Sequence, residues 1–144
     1  MSHVESVSTV IKDLDSLRKA CEVLGVKFIE GKKNYEWWGH SVGDYPLPKG
    51  FTAEDLGKCD HVIQVPGVKY EVGVVPLKDK SGYTLLYDFY GNGQGLLKKF
   101  GNGLTNLVDR YSAETLKKQA LKKGYFTKET IKDGKIQLTV TGFQ

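Results

Sequence analysis

At 144 residues, with 40% apolar and 26% charged side chains, the chain has the size and balance of one globular domain, which excludes wholesale disorder. Its net charge of +4 comes mostly from lysine, with Arg18 and Arg110 the only arginines. The excess favours anionic partners but supplies few guanidinium forks, so sequence-specific nucleic-acid recognition is not indicated. Cys21 and Cys59 make no disulfide framework, no run approaches the roughly 18 apolar residues of a membrane span, and Met1-Ser2-His3-Val4-Glu5 lacks the features of a signal peptide. A reducing, cytoplasmic setting is expected.

Val4, Ser6, Ser8 and Val10 alternate with Glu5, Val7, Thr9 and Ile11, a β-branched run that predicts a first strand. Asp13 then caps a helix with the apolar stripe Leu14, Leu17, Cys21 and Leu24, closed by Gly25, and residues 26–30 read as a second strand. Residues 31–58 break this rhythm. They hold Gly31, Gly39, Gly43, Gly50, Gly57, Pro46 and Pro48, interleaved with Tyr35, Trp37, Trp38, His40, Tyr45 and Phe51. A segment this rich in aromatics predicts an ordered, packed loop rather than a disordered one.

Residues 60–65, 68–77 and 83–90 read as three strands of an antiparallel meander, separated by Pro66-Gly67 and by Lys78-Asp79-Lys80-Ser81-Gly82. Leu97, Phe100, Leu104, Leu107, Val108 and Tyr111 follow at helical spacing, bent or interrupted at Gly101-Asn102-Gly103. Ser112 is placed to cap a last helix closed by Gly124. A hairpin ends the chain, turning at Asp133-Gly134 with Ile136, Leu138 and Val140 on one face. This order predicts a single α+β domain over residues 1–144: an antiparallel or mixed sheet with two to three helices packed mainly on one face.

No catalytic motif is recognisable. Gly91-Asn92-Gly93-Gln94-Gly95 sits between a strand and a helix, where a phosphate-binding turn would sit, with Lys98 and Lys99 nearby. Leu96 stands where the dinucleotide fingerprint wants glycine or alanine, and the preceding unit is a meander, so a plain turn is expected. Cys59 and His61, with His40, give one close ligand pair rather than the four ligands of structural zinc, and no metal or cofactor is expected. Among Glu36, Asp44, Glu54, Asp55, Glu71 and Asp88, no spacing singles out a catalytic pair. Asp88, inside Leu85-Leu86-Tyr87-Asp88-Phe89-Tyr90, is expected on a solvated strand face; if buried near a cleft it becomes a candidate acid or base.

The aromatic loop is the functional lead. Its rings either cover the core or a sheet edge, or they bind something. The binding reading gives a non-catalytic binder of a small anionic, nucleotide-like ligand. Tyr35, Trp37, Trp38, His40 and Tyr45 would supply the rings, and Lys33, Asn92, Lys98 and Arg110 complete the candidate set on the anionic side. The alternative is a protein-interaction or assembly factor using the same rings as anchors, for a partner protein or a second copy. An enzyme using Asp88 or His40 stands third.

Met1-Ser2-His3, residues 14–25, Tyr70-Glu71-Val72-Gly73-Val74-Val75 and the helix and hairpin from Tyr111 onward carry a family resemblance. The chain resembles the uncharacterised family named for hypothetical chloroplast reading frame 35, found in plastids, cyanobacteria and phages. The family's Leu-Gly helix end is similar to Leu24-Gly25, and its Arg-Tyr pair to Arg110-Tyr111. Lys69 replaces a glycine of the family strand motif, and residues 91–103 are glycine-rich where the family is aromatic and proline-rich. The resemblance implies no activity, cofactor or site residue. A phage-type copy would fit a binder that sequesters a host signalling nucleotide.

Overall fold

The computed structural model of the protein describes residues 3–41, 43 and 45–142; Met1 and Ser2 of the Met-Ser-His start, and Asp44, lie outside the described residues. Five strands, β1 (Val4–Ser6), β2 (Lys27–Glu30), β3 (His61–Gln64), β4 (Val72–Pro76) and β5 (Tyr83–Asp88), form one sheet in the order β1-β5-β4-β3-β2. Every neighbouring pair is antiparallel. Three helices, α1 (Leu14–Leu24), α2 (Gln94–Phe100) and α3 (Thr105–Lys122), precede a separate hairpin of β6 (Tyr125–Lys132) and β7 (Lys135–Gly142). The fold is therefore α+β with an antiparallel main sheet.

Strand alternation divides the core in two. Ile63, Val72, Val74, Leu85 and Tyr87 join Leu17, Ala20 and Cys21 of α1, Leu96 and Phe100 of α2, and Leu107 and Tyr111 of α3. Val62, Val75 and Leu86 face the other way, towards Val4, Tyr35, Leu56 and Cys59. The helices cover one face and the long aromatic loop covers the other. That explains why Val72–Val75 and Thr84–Asp88 are buried without interruption, where a half-wet antiparallel strand would alternate.

Local chemistry places the helices. The Asp13 carboxylate accepts from the Ser16 amide at 3.1 Å to start α1, and Gly25 (φ 73°) closes it in the left-handed region. Gly101 (φ 82°) and Gly103 (φ 68°) separate α2 from α3. Beyond this break α3 runs unbroken through Ser112, which caps nothing; the expected last helix is the second half of a longer one. Leu104, Leu107 and Tyr111 extend one buried stripe across the position, and that packing outweighs the capping preference of serine.

Three strands differ from their expected limits by two residues or more. The first is interrupted after Ser6 and re-pairs at Ile11, whose amide and carbonyl both bond Tyr83 at 2.8 Å. The fourth begins at Val72, because the Glu71 amide turns to donate to the Glu36 carbonyl of the loop at 3.0 Å. The fifth ends at Asp88 rather than Tyr90. β1 and β2, flanking α1 in sequence, lie at opposite edges of the sheet.

Candidate functional site

The aromatic loop is seated on the sheet by glycine. Tyr35 is 2% exposed, and its ring lies so close to β4 that a Cβ on Gly73 would sit 2.3 Å from Tyr35 Cδ1. The Tyr35 amide donates to the Gly57 carbonyl at 3.0 Å, and the Cys59 amide to the Lys33 carbonyl at 2.9 Å, so the two ends of the loop brace each other. Trp37 packs half-buried on the same cluster, its indole nitrogen 2.5 Å from where a Cβ of Gly57 would lie.

Two buried carboxylates hold the backbone on either side of Trp37. Glu71, 4% exposed, accepts from the Glu36 amide at 2.9 Å, from Lys32 Nζ at 2.9 and 3.0 Å, and from the Gln64 side-chain amide. Burial pushes its carboxyl up, but Lys32, the Glu36 amide and Gln64 together hold it below the usual range. Asp88 is wholly buried, which corrects the expected solvated face: the loop removes that face from water. Its carboxylate accepts three backbone amides, from His3 at 3.1 Å, Trp38 at 3.2 Å and Tyr90 at 3.0 Å. Both acids are employed as scaffolding.

Next to Asp88 the surface is aromatic. Trp38 is 49% exposed and Tyr90 44% exposed. The His3 ring stacks on Tyr45 at 4.7 Å and lies 4.8 Å from Tyr90 and 5.4 Å from Phe89. Tyr45 meets Phe89 edge-on at 5.3 Å, and its hydroxyl donates to the Glu5 carboxylate, which pushes the phenol pKa up. Since Glu5 also accepts from Tyr87 of the helix-side core, Tyr45 reaches around the β1 edge of the sheet.

The candidate residues thus separate. Trp38 and Tyr45 belong to the exposed patch, Tyr35 and Trp37 lie beneath it, and His40 is exposed on the same loop. Asn92 is exposed on the 3-10 turn Gly91–Gly93. In that turn the Gly93 amide donates to the Tyr90 carbonyl, and Gly93 packs so tightly that a Cβ would lie 1.7 Å from the Asp88 carbonyl oxygen. Gly93 there answers a close backbone approach, and Gly91 (φ 58°) a left-handed turn position. Lys33 is exposed, 3.6 Å from Asp60, and Lys98 is exposed on α2. Arg110 is buried on α3, on the helix side of the sheet, paired with Glu129 at 2.6 Å and Glu114 at 3.3 Å.

Both thiols are buried. Burial pushes Cys21 up to about 12; burial, with Asp60 and Glu71 nearby, pushes Cys59 up to about 11. Among the described residues no three His, Cys, Asp or Glu side chains gather to hold a metal ion, and no helix is long and apolar enough to cross a membrane. His61 Nδ1 instead accepts from the Gly31 amide at 3.0 Å. Prominent grooves lie elsewhere, one of about 560 Å³ and one of about 470 Å³ along α3.

Sequence reasoning missed Glu71, Tyr90 and His3 as members of this construction. Glu71 carried a usable signal: a charge immediately before the uninterrupted apolar Val72-Gly73-Val74-Val75 needs either water or partners. No family model, no curated protein and no solved structure matches the chain.

Proposed function

We propose that the chain is a non-catalytic binding protein that engages a protein partner through Trp38 and Tyr90, flanked by the His3–Tyr45 stack. One observation carries this reading: two exposed aromatic residues have their backbone amides held by the same buried carboxylate, Asp88. Interface hot spots favour Trp and Tyr, and a backbone fixed before binding loses less entropy when a partner arrives. Asp88 itself is committed to three amides, which argues against an acid–base role. A nucleotide-like anion is the competing occupant of the same rings, and Lys33, Lys98 and Arg110, engaged or placed elsewhere, give it less support.

The test is capture of a partner from source cells by immobilised wild-type chain, followed by titration with the purified partner. Trp38→Ala and Tyr90→Ala should each weaken binding by about tenfold or more, about 1.4 kcal/mol, with the melting temperature retained. Calorimetric heats with nucleotides that vanish in Trp38→Ala would overturn the protein-partner reading in favour of the small ligand.

A further inference from the structure

The positive charge of the chain is unevenly placed. Residues 1–104 hold thirteen basic and thirteen acidic residues, whereas residues 105–144 hold eight basic and four acidic, so the whole excess of +4 lies in α3 and the hairpin. Of those four acids, Glu114 and Glu129 are turned inward to Arg110 and Lys117. The outer face of α3 keeps the exposed Asp109 near its start and is otherwise basic, with Lys118 and Lys122.

That face also carries uncovered apolar surface. The larger groove runs between α3 and the residues before α1, with Tyr111 at its base and Leu116, Val10, Lys12, Lys118 and Lys122 around it. The Tyr111 hydroxyl accepts from the Lys12 and Asp13 amides at 3.0 and 3.2 Å, which fixes the far wall. Among the described residues the single acid lining it, Asp13, is tied to Lys118 at 2.8 Å. A second groove opens on the other side of the same ridge, between Leu116 and Ile136, Leu138 and Lys135 of β7. Leu116 is 55% exposed and Val10 38% exposed. Together the grooves follow α3 from Asp109 to Lys122, about 20 Å at 1.5 Å per residue, the length of a partner helix of three to four turns.

We infer that this face of α3 is a second interaction surface, whose occupant is an acidic amphipathic helix: leucine-like side chains against Leu116 and the groove walls, carboxylates against Lys12, Lys122 and Lys135. Charge complementarity selects it. A second copy docked through the same face would set lysine against lysine. Nucleic acid is disfavoured because neither arginine lines the grooves: Arg18 pairs with Asp15 and Glu30, Arg110 is buried, and the walls offer aliphatic carbons rather than exposed rings for stacking. The surface lies on the helix side of the sheet, so it is independent of the Trp38–Tyr90 patch and of the function proposed for it.

The experiment is fluorescence anisotropy of the full chain with a labelled amphipathic peptide of about 15 residues, leucine on one helical face and glutamate on the other. Its lysine-for-glutamate counterpart and oligothymidylate serve as comparison probes. The glutamate peptide should bind, more weakly as salt rises, and Leu116→Glu and the double variant Lys12→Glu/Lys122→Glu should each weaken it by about tenfold or more. Trp38→Ala should leave it unchanged. All three altered side chains of the groove variants are exposed, and circular dichroism of each variant should show the wild-type spectrum. Absence of binding, equal binding of the lysine peptide, tighter binding of oligothymidylate, indifference to the groove variants, or self-association abolished by Leu116→Glu would each overturn the proposal.

Discussion

Asp88 and Glu71 give the clearest view of how single residues set this surface. Each takes an amide from the segment around Trp37, Glu71 from Glu36 and Asp88 from Trp38, so the loop backbone is fastened on both sides of the ring it buries. Removing the Asp88 carboxylate leaves three amide donors without their acceptor, beside a side chain that is itself wholly buried. Asp88→Ala should cost about 3 kcal/mol or more, read by urea denaturation. Gly73→Ala is the complementary probe: its methyl would sit 2.3 Å from the Tyr35 ring, and overpacking of this kind costs about 1–3 kcal/mol. A Tyr35→Ala background should relieve most of that penalty in a double-mutant cycle. The cysteines offer a third test. With thiol pKa values pushed up to about 12 and about 11, both should resist alkylation at neutral pH in the native chain and label rapidly in denaturant. The burial of Asp88 was not legible in its own strand. It depends on a loop some fifty positions away in the chain crossing that face, and strand periodicity says nothing about what covers the second face of a sheet.

Among the elements, the β6–β7 hairpin was the most legible and is the most dependent on a neighbour. Asp133 (φ 52°) and Gly134 (φ 75°) form its turn, as their sequence announced. An isolated two-stranded hairpin is marginal in water, and here Glu129 anchors it to α3 through Arg110 and Lys117, both at 2.6 Å. Arg110 and Lys117 hold the Glu129 carboxyl down at about 2. A folded pKa below the unfolded one, roughly 4.3, stabilises in full above the unfolded value and is lost as pH falls through the folded one. Hairpin amides should therefore exchange progressively faster as pH is lowered from above 4 towards about 2, once intrinsic exchange rates are corrected for, and Glu129→Gln should abolish that dependence. The helices were half legible. Glycines at 101 and 103 marked a break correctly, but Ser112 suggested a start that the buried stripe through Leu107 and Tyr111 overrides.

Over the whole molecule, the two covered faces of the sheet lead to two different outer surfaces, one aromatic above the loop and one basic and aliphatic along α3. The sheet class followed from element order and turn residues, which are local. The placement of β1 beside β5, and of the loop over β4 and β5, rests on contacts between distant positions that no local pattern encodes. This wiring bears on the order of folding events. The Asp88 carboxylate binds amides from β1's flank, from the loop and from its own turn, so its bonds close only after three separated stretches of chain have met. Loops that long are closed late, at an entropic cost already met before the last contacts form. Truncating Asp88 should consequently leave the refolding rate nearly unchanged and accelerate unfolding, so that stopped-flow chevrons move on the unfolding limb alone. The carboxylate is then a latch that governs how long the native state lasts, not how quickly it is reached.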